Sequence, residues 1–187
     1  MNQCGNSIVL IGMMGAGKSS VGHCLRRRTG TDLFDVDDIV ASKFGISIPE
    51  IFSKYGEQGF REAEAETLLG LPSTQQAIIV TGGGIVLREQ NVNVLKRLGV
   101  VVWLDGNEET LFARASQKQN RPLLQTNDPR EAFAQILRAR KSVYAKIADI
   151  RVDTSMLTDQ EVAVAILSKL RRLRRDRRLG SPRPATP

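Results

Sequence analysis

Short runs of aliphatic and β-branched residues recur along the chain, and between them the apolar positions spread out to a helical spacing. Residues 7–12 (SIVLIG), 77–81 (AIIVT) and 100–104 (VVVWL) are continuous apolar stretches, and each predicts a strand buried on both faces. A shorter run over 32–36 (DLFDV) ends in acids, and 150–152 supplies a last short strand. Helical patterns fall between them, over 18–28, 38–44, 49–54, 57–69, 88–98, 108–116 and 129–148. Ser47-x-x-Glu50 and Thr158-x-x-Glu161 have the form of capping boxes. Asp128 followed by Pro129 reads as a cap with proline in the first turn. Val162, Ile166, Leu170 and Leu173 then line one face of a final helix. Strand–helix alternation of this kind predicts an α/β fold of three layers, with a parallel sheet between two layers of helices. Residues 117–129 (QKQNRPLLQTNDP) are polar and carry two prolines, so they read as a mobile loop.

Composition narrows the class without changing this picture. At 187 residues the chain suits one domain, expected over 1–175 with a basic, disordered tail over 176–187. No apolar run approaches the roughly 20 residues of a membrane span, and the run over 8–14 is too short and glycine-broken for a secretory signal. Two cysteines are too few for a disulfide framework, which points to the cytoplasm. The net charge of +7 is a local property: residues 169–187 hold eight basic residues and one acid, while residues 1–168 hold 19 of each. The tail reads as a helix's solvated end, so nucleic acid is not the expected partner and no membrane is expected.

Gly12-Met13-Met14-Gly15-Ala16-Gly17-Lys18-Ser19 satisfies G-x-x-x-x-G-K-[ST] between a predicted strand and a predicted helix. Glycines there let backbone N–H groups turn inward around phosphate oxygens, at a helix N-terminus that favours anions. Lys18 suits the β- and γ-phosphates and the Ser19 hydroxyl suits Mg²⁺. The Asn-Lys-x-Asp device that reads guanine does not occur, which points to ATP.

Many proteins with such a loop carry a magnesium-side acid at the end of a later apolar strand. Here the strand at 77–81 runs instead into Gly82, Gly83 and Gly84. The acids stand at the end of the second predicted strand, where alternation points Asp35 and Asp37 the same way. One would face magnesium and the other would take a proton from a substrate hydroxyl. Capping of the next helix is the competing use of any one of them, with Asp38 the expected helix-start residue. Three arginines could fork onto a substrate carboxylate: Arg61, with Glu64 three residues on; Arg121, in the polar loop; and Arg140, one turn before Tyr144. The three glycines add a backbone surface that a small substrate can approach closely.

The phosphate loop, FDxDxxI, IFxxxGExxFRxxE, TGGG, RPLL and RxxxY occur in that order, and together they resemble the shikimate kinases over roughly residues 7–168. The resemblance implies a small P-loop kinase with a five-stranded parallel sheet. It would transfer the γ-phosphoryl group of ATP to the 3-hydroxyl of shikimate on the route to chorismate, and would work as a monomer. Residue by residue it implies nucleotide contacts from Gly15, Ala16, Gly17, Lys18, Ser19, Ser20, Arg114 and Arg121. Mg²⁺ would be held by Ser19 and, through water, Asp35. Asp37 would be the base, and Arg61, Arg140 and Gly82, Gly83 and Gly84 would hold the substrate. Val40 stands where many members carry glutamate, and residues 155–159 lack a proline expected near the adenine. A gluconate-type kinase of the same architecture, or a non-catalytic ATP-binding module, are the other readings.

Overall fold

The computed structural model describes residues 6–73, 75–117 and 121–178. Its strands are β1 (Ser7–Ile11), β2 (Asp32–Asp35), β3 (Ala77–Val80), β4 (Gly99–Asp105) and β5 (Ile150–Asp153). They form one sheet in the order β2-β3-β1-β4-β5, with every neighbouring pair parallel. Every residue of β1, β3 and β4 is buried, as their unbroken apolar runs require of central strands. Edge strand β5 alternates buried and exposed.

Helices cover both faces, as expected for an α/β fold. Helix α1 (Lys18–Thr29) packs on β1, β2 and β3 and against α7 (Asp159–Arg178), which also covers β5. On the other face α4 (Glu89–Leu98) covers β1 and β4, and α6 (Pro129–Ile147) covers β4. Helices α2 (Val36–Phe44) and α3 (Ile48–Leu69) pack together beyond β2, and α5 (Glu108–Ser116) lies against α6. Because α1 and α4 leave adjacent strands β1 and β3 toward opposite faces, the sheet has its switch point there, and a crevice opens beyond their carboxyl ends.

The predicted caps form. Glu50 accepts from the backbone N–H of Ser47 at 2.8 Å while Ser47 accepts from that of Glu50. Thr158 and Glu161 repeat the exchange at the head of α7, and Asp128 caps α6. The two helices expected over 49–54 and 57–69 form one element, kinked at Gly56 where φ is 70°. Helix α7 continues through Arg178, past the expected boundary at residue 175. Arginine is a good helix former, and Asp176 lies 4.0 Å from Arg172 one turn earlier, so the helix outlasts its apolar stripe. Residues 179–187, the rest of the expected tail, lie outside the described residues. Among the described residues no helix is long and apolar enough to cross a membrane; Cys24 is buried and free.

Candidate active site

Between Ile11 and Lys18 the chain makes the predicted phosphate loop. Gly12, at φ 143°, lies flat against the Leu104 carbonyl, and Gly15, at φ 84°, against the Leu111 backbone; a Cβ at either would strike main chain. Lys18 folds back over the loop, its Nζ donating to the carbonyls of Gly12 at 2.9 Å and Met13 at 3.0 Å. Burial pulls its pKa down to about 8, against the attraction of Asp37. Gly15, Gly17, Ser19 and Ser20 line the mouth beyond the loop, a cavity of about 580 Å³. Ala16 does not: it is buried, and its N–H donates to Met13 O at 3.2 Å.

The two acids reach this mouth by a route that differs from strand alternation. Strand β2 ends at Asp35, which is the N-cap of α2, with its Oδ1 accepting from the Asp37 N–H at 3.1 Å. Asp37 therefore sits in the first turn of a helix that begins two residues earlier than predicted. Asp35, not Asp38, starts it. The capping use holds for Asp35, yet its other oxygen accepts from the Ser19 hydroxyl at 2.8 Å, and both acids line the mouth. Burial, then the carboxylates of Glu64 and Asp35, push the Asp37 pKa up to about 7. Its Oδ1 is buried without a hydrogen-bond partner.

The triple glycine explains itself by what packs on it. A Cβ on Gly82 would collide with the Glu64 carboxylate and lie 2.8 Å from Asp37 Oδ1. One on Gly83 would meet Gly12 O at 3.2 Å, the Tyr144 hydroxyl at 3.4 Å and Arg140 at 3.5 Å, and one on Gly84 would drive into the Arg61 guanidinium. The strand end is bare so that two carboxyl groups, two guanidinium groups and a phenol can lie directly on backbone. Arg61 is held by the fully buried Glu64 and, at 3.0 Å, by Glu57. Tyr144 donates to Gly83 O at 2.6 Å and stacks on Trp103. Burial pushes its pKa up to about 12.

Arg61, Arg140, Asp37 and the three glycines, with Phe52, Phe60 and Leu123, line a smaller inner cavity of about 70 Å³. Arg121 faces both this chamber and the mouth, and its Nε is buried without a partner. Of the loop predicted over 117–129, residues 118–120 lie outside the described residues, and Pro122–Leu124 form a 3-10 turn over the inner chamber. Arg114 lines the far side of the mouth, where both terminal nitrogens donate to Thr154 O at 3.0 Å. Gln117, Leu157, Thr158 and Asp159 complete that side, and Met14 and Thr81 its floor. The sequence marked these six only as members of longer stretches, the phosphate loop (Met14), TGGG (Thr81), the polar loop (Gln117) and residues 155–159, because loops from distant parts of the chain converge on them; Glu64 and Tyr144 were visible only as neighbours of Arg61 and Arg140.

The donor set suits magnesium but does not make a cage. Among the described residues no cluster of three or more carboxylate, thiol or imidazole groups could hold a metal alone. One hydroxyl beside one carboxylate is what a Mg²⁺ shared with phosphates and water requires.

The family model for shikimate kinase matches residues 14–171. A shikimate kinase of Thermodesulfovibrio yellowstonii is 43% identical over 167 residues, covering 89% of this chain and 96% of the relative. Among solved structures, shikimate kinase from Acinetobacter baumannii in complex with shikimate aligns with a TM-score of 0.85 at 35% identity, covering 90% of this chain and 94% of that one. A gluconokinase from Sinorhizobium meliloti aligns with a TM-score of 0.57 at 19% identity over 96% and 99% of the two chains, which is a likeness of fold alone.

Proposed function

The chain belongs to the shikimate kinase family of ATP-dependent kinases, and from that premise we propose that it transfers the γ-phosphoryl group of ATP to the 3-hydroxyl of shikimate between the two chambers. The observation that carries this reading is Arg121, among the described residues the one cation common to the mouth beyond the phosphate loop and to the inner chamber that holds Arg61 and Arg140. The loop N–H groups, Lys18, Ser19 and Ser20 hold the ATP phosphates, and Arg114 lies against the base. Ser19, and Asp35 through water, would hold Mg²⁺, which when bound would neutralise phosphate charge. Arg61 and Arg140 grip the shikimate carboxylate against the glycine wall. Asp37, whose raised pKa suits a base near neutral pH, takes the hydroxyl proton as that oxygen bonds phosphorus and the bond to ADP breaks. Arg121 spreads its charge over the transferring phosphoryl oxygens, while Pro122 and Leu123 shield the acceptor from water. The protein would act as a monomer in the cytoplasm.

An ADP-release assay with shikimate and with gluconate tests the proposal. Turnover with shikimate alone is expected. Turnover with gluconate alone would assign the sugar-acid reading, and turnover with neither would leave an ATP-binding module.

A further inference from the structure

Helices α1 and α7 lie side by side, and both start at the mouth: Lys18 and Ser19 open α1, and Thr158 and Asp159 lead α7. Both therefore end at the opposite pole of the molecule. There α1 presents Arg27 and Arg28, and α7 presents Arg171, Arg172, Arg174, Arg175, Arg177 and Arg178, every one exposed, while Arg26 turns to the other flank of α1, beside Asp35 and Asp38. Arg174 donates to the carbonyl of Asn6, just before β1, and Arg177 to Asp149, just before β5, which fixes the end of α7 beside the strand starts. Two arginine clusters more than 140 residues apart in sequence thus form one surface. We propose that this surface binds the phosphodiester backbone of nucleic acid, independently of base sequence.

Cations in a last helical turn stabilise the helix dipole, and that accounts for one or two of them. It does not account for eight, against which stand Asp149, Asp176 within 4.0 Å of Arg172 and Arg175, and Asp32 at the start of β2. Nor does it explain why, Lys169 apart, the exposed cations of these two helix ends are arginine, whose planar fork matches phosphate oxygens where lysine offers a point charge. An anionic membrane is a poorer match. The apolar stripe of α7 (Val162, Ile166, Leu170) is buried against the core, leaving no face to enter a bilayer. Among the described residues the exposed large apolar side chains (Tyr55, Leu69, Leu87, Met156, Val164) include none from these two helix ends, so a protein partner would lack an apolar interface core there. A phosphate backbone needs neither. Arg171 to Arg178 spans about 10 Å of helix, roughly three phosphate steps along one strand. None of the eight lines the catalytic mouth. The expectation from sequence of a merely solvated basic end is revised because the fold adds the α1 cluster to it.

The test is fluorescence anisotropy of a short labelled DNA duplex titrated with the full chain between about 50 and 200 mM salt. The expected dissociation constant is on the order of 10 µM near 150 mM salt, with log K falling against log salt at a slope of about −4 to −5 for some five phosphates. Arg27→Gln/Arg28→Gln and Arg171→Gln/Arg172→Gln/Arg175→Gln should each weaken binding at least about tenfold and flatten the slope by roughly 0.9 per arginine removed. ATP turnover should be unchanged in both, and glutamine preserves the helices. Duplex binding weaker than about 100 µM at 150 mM salt, below the ordinary non-specific range, would overturn the proposal. So would an Arg27→Gln/Arg28→Gln variant that binds like the wild type, or equal affinity for phosphatidylserine vesicles or polyglutamate.

Discussion

Gly84→Ala isolates the role of the Arg61 grip, because the backbone itself tolerates the change. Gly84 lies at φ −95°, ψ −5°, where alanine is at ease, and the substitution alone would stabilise by about 0.4–1 kcal/mol through the unfolded chain. The obstacle is the guanidinium. Its Nη2, Cζ and Nη1 are the three atoms nearest the added methyl, the farthest of them 2.6 Å away, where ordinary contact begins near 3.4 Å. Arg61 must retreat by about 1 Å, too far to keep a bidentate fork on a substrate carboxylate. Losing one charge-assisted hydrogen bond of about 1.5–3 kcal/mol raises the KM for shikimate about 10- to 100-fold. Initial rates at varied shikimate and saturating ATP measure it, with thermal melting to show that the fold persists. In an Arg61→Ala background the same substitution should add little, since both changes remove one interaction. A folded Gly84→Ala enzyme with wild-type KM for shikimate, or with an equal rise in KM for ATP, refutes the reasoning.

Asp37→Asn should lower kcat severely while ATP affinity, read by calorimetry, stays within a few-fold. Its carboxyl, raised by burial, contributes most to stability below its unfolded pKa and loses that contribution as pH rises through about 7. The melting temperature of the wild type relative to Asp37→Asn should therefore fall between pH 5 and 8, and a constant difference would contradict the assignment. Arg121→Ala should cost on the order of 10³-fold in kcat by analogy with arginine fingers; a loss confined to KM would make it a binding residue only. Tyr144→Phe removes the donor to Gly83 O and leaves that carbonyl unpaired, costing about 1–3 kcal/mol in stability by denaturant titration, with a raised KM for shikimate.

Much of this architecture is legible in the sequence where local physics decides. The unbroken apolar runs became the central strands, and Ser47, Asp128 and Thr158 became caps, because each depends on neighbours within one turn. The phosphate loop is legible for the same reason. Asp35 and Asp37 both line the mouth, but not by strand alternation: a cap ends the strand at Asp35 and puts Asp37 on a helix. The glycines were legible as a bare backbone surface, while the side chains lying on it were not. Glu64, Arg61, Arg140 and Tyr144 come from α3 and α6, and only packing brings them to the end of β3. Likewise the joining of Arg27 and Arg28 to the end of α7 is a product of topology, with no trace in either segment alone.

The central claim is phosphoryl transfer to one hydroxyl of a substrate fixed by Arg61, Arg140 and the glycine wall. Phosphorus–proton correlated NMR of the product formed from ATP and shikimate tests it directly. The account predicts a single phosphomonoester coupled to the proton on carbon 3, formed by the wild type and nearly absent with Asp37→Asn. A phosphate on another hydroxyl, or undiminished product from Asp37→Asn, would contradict it.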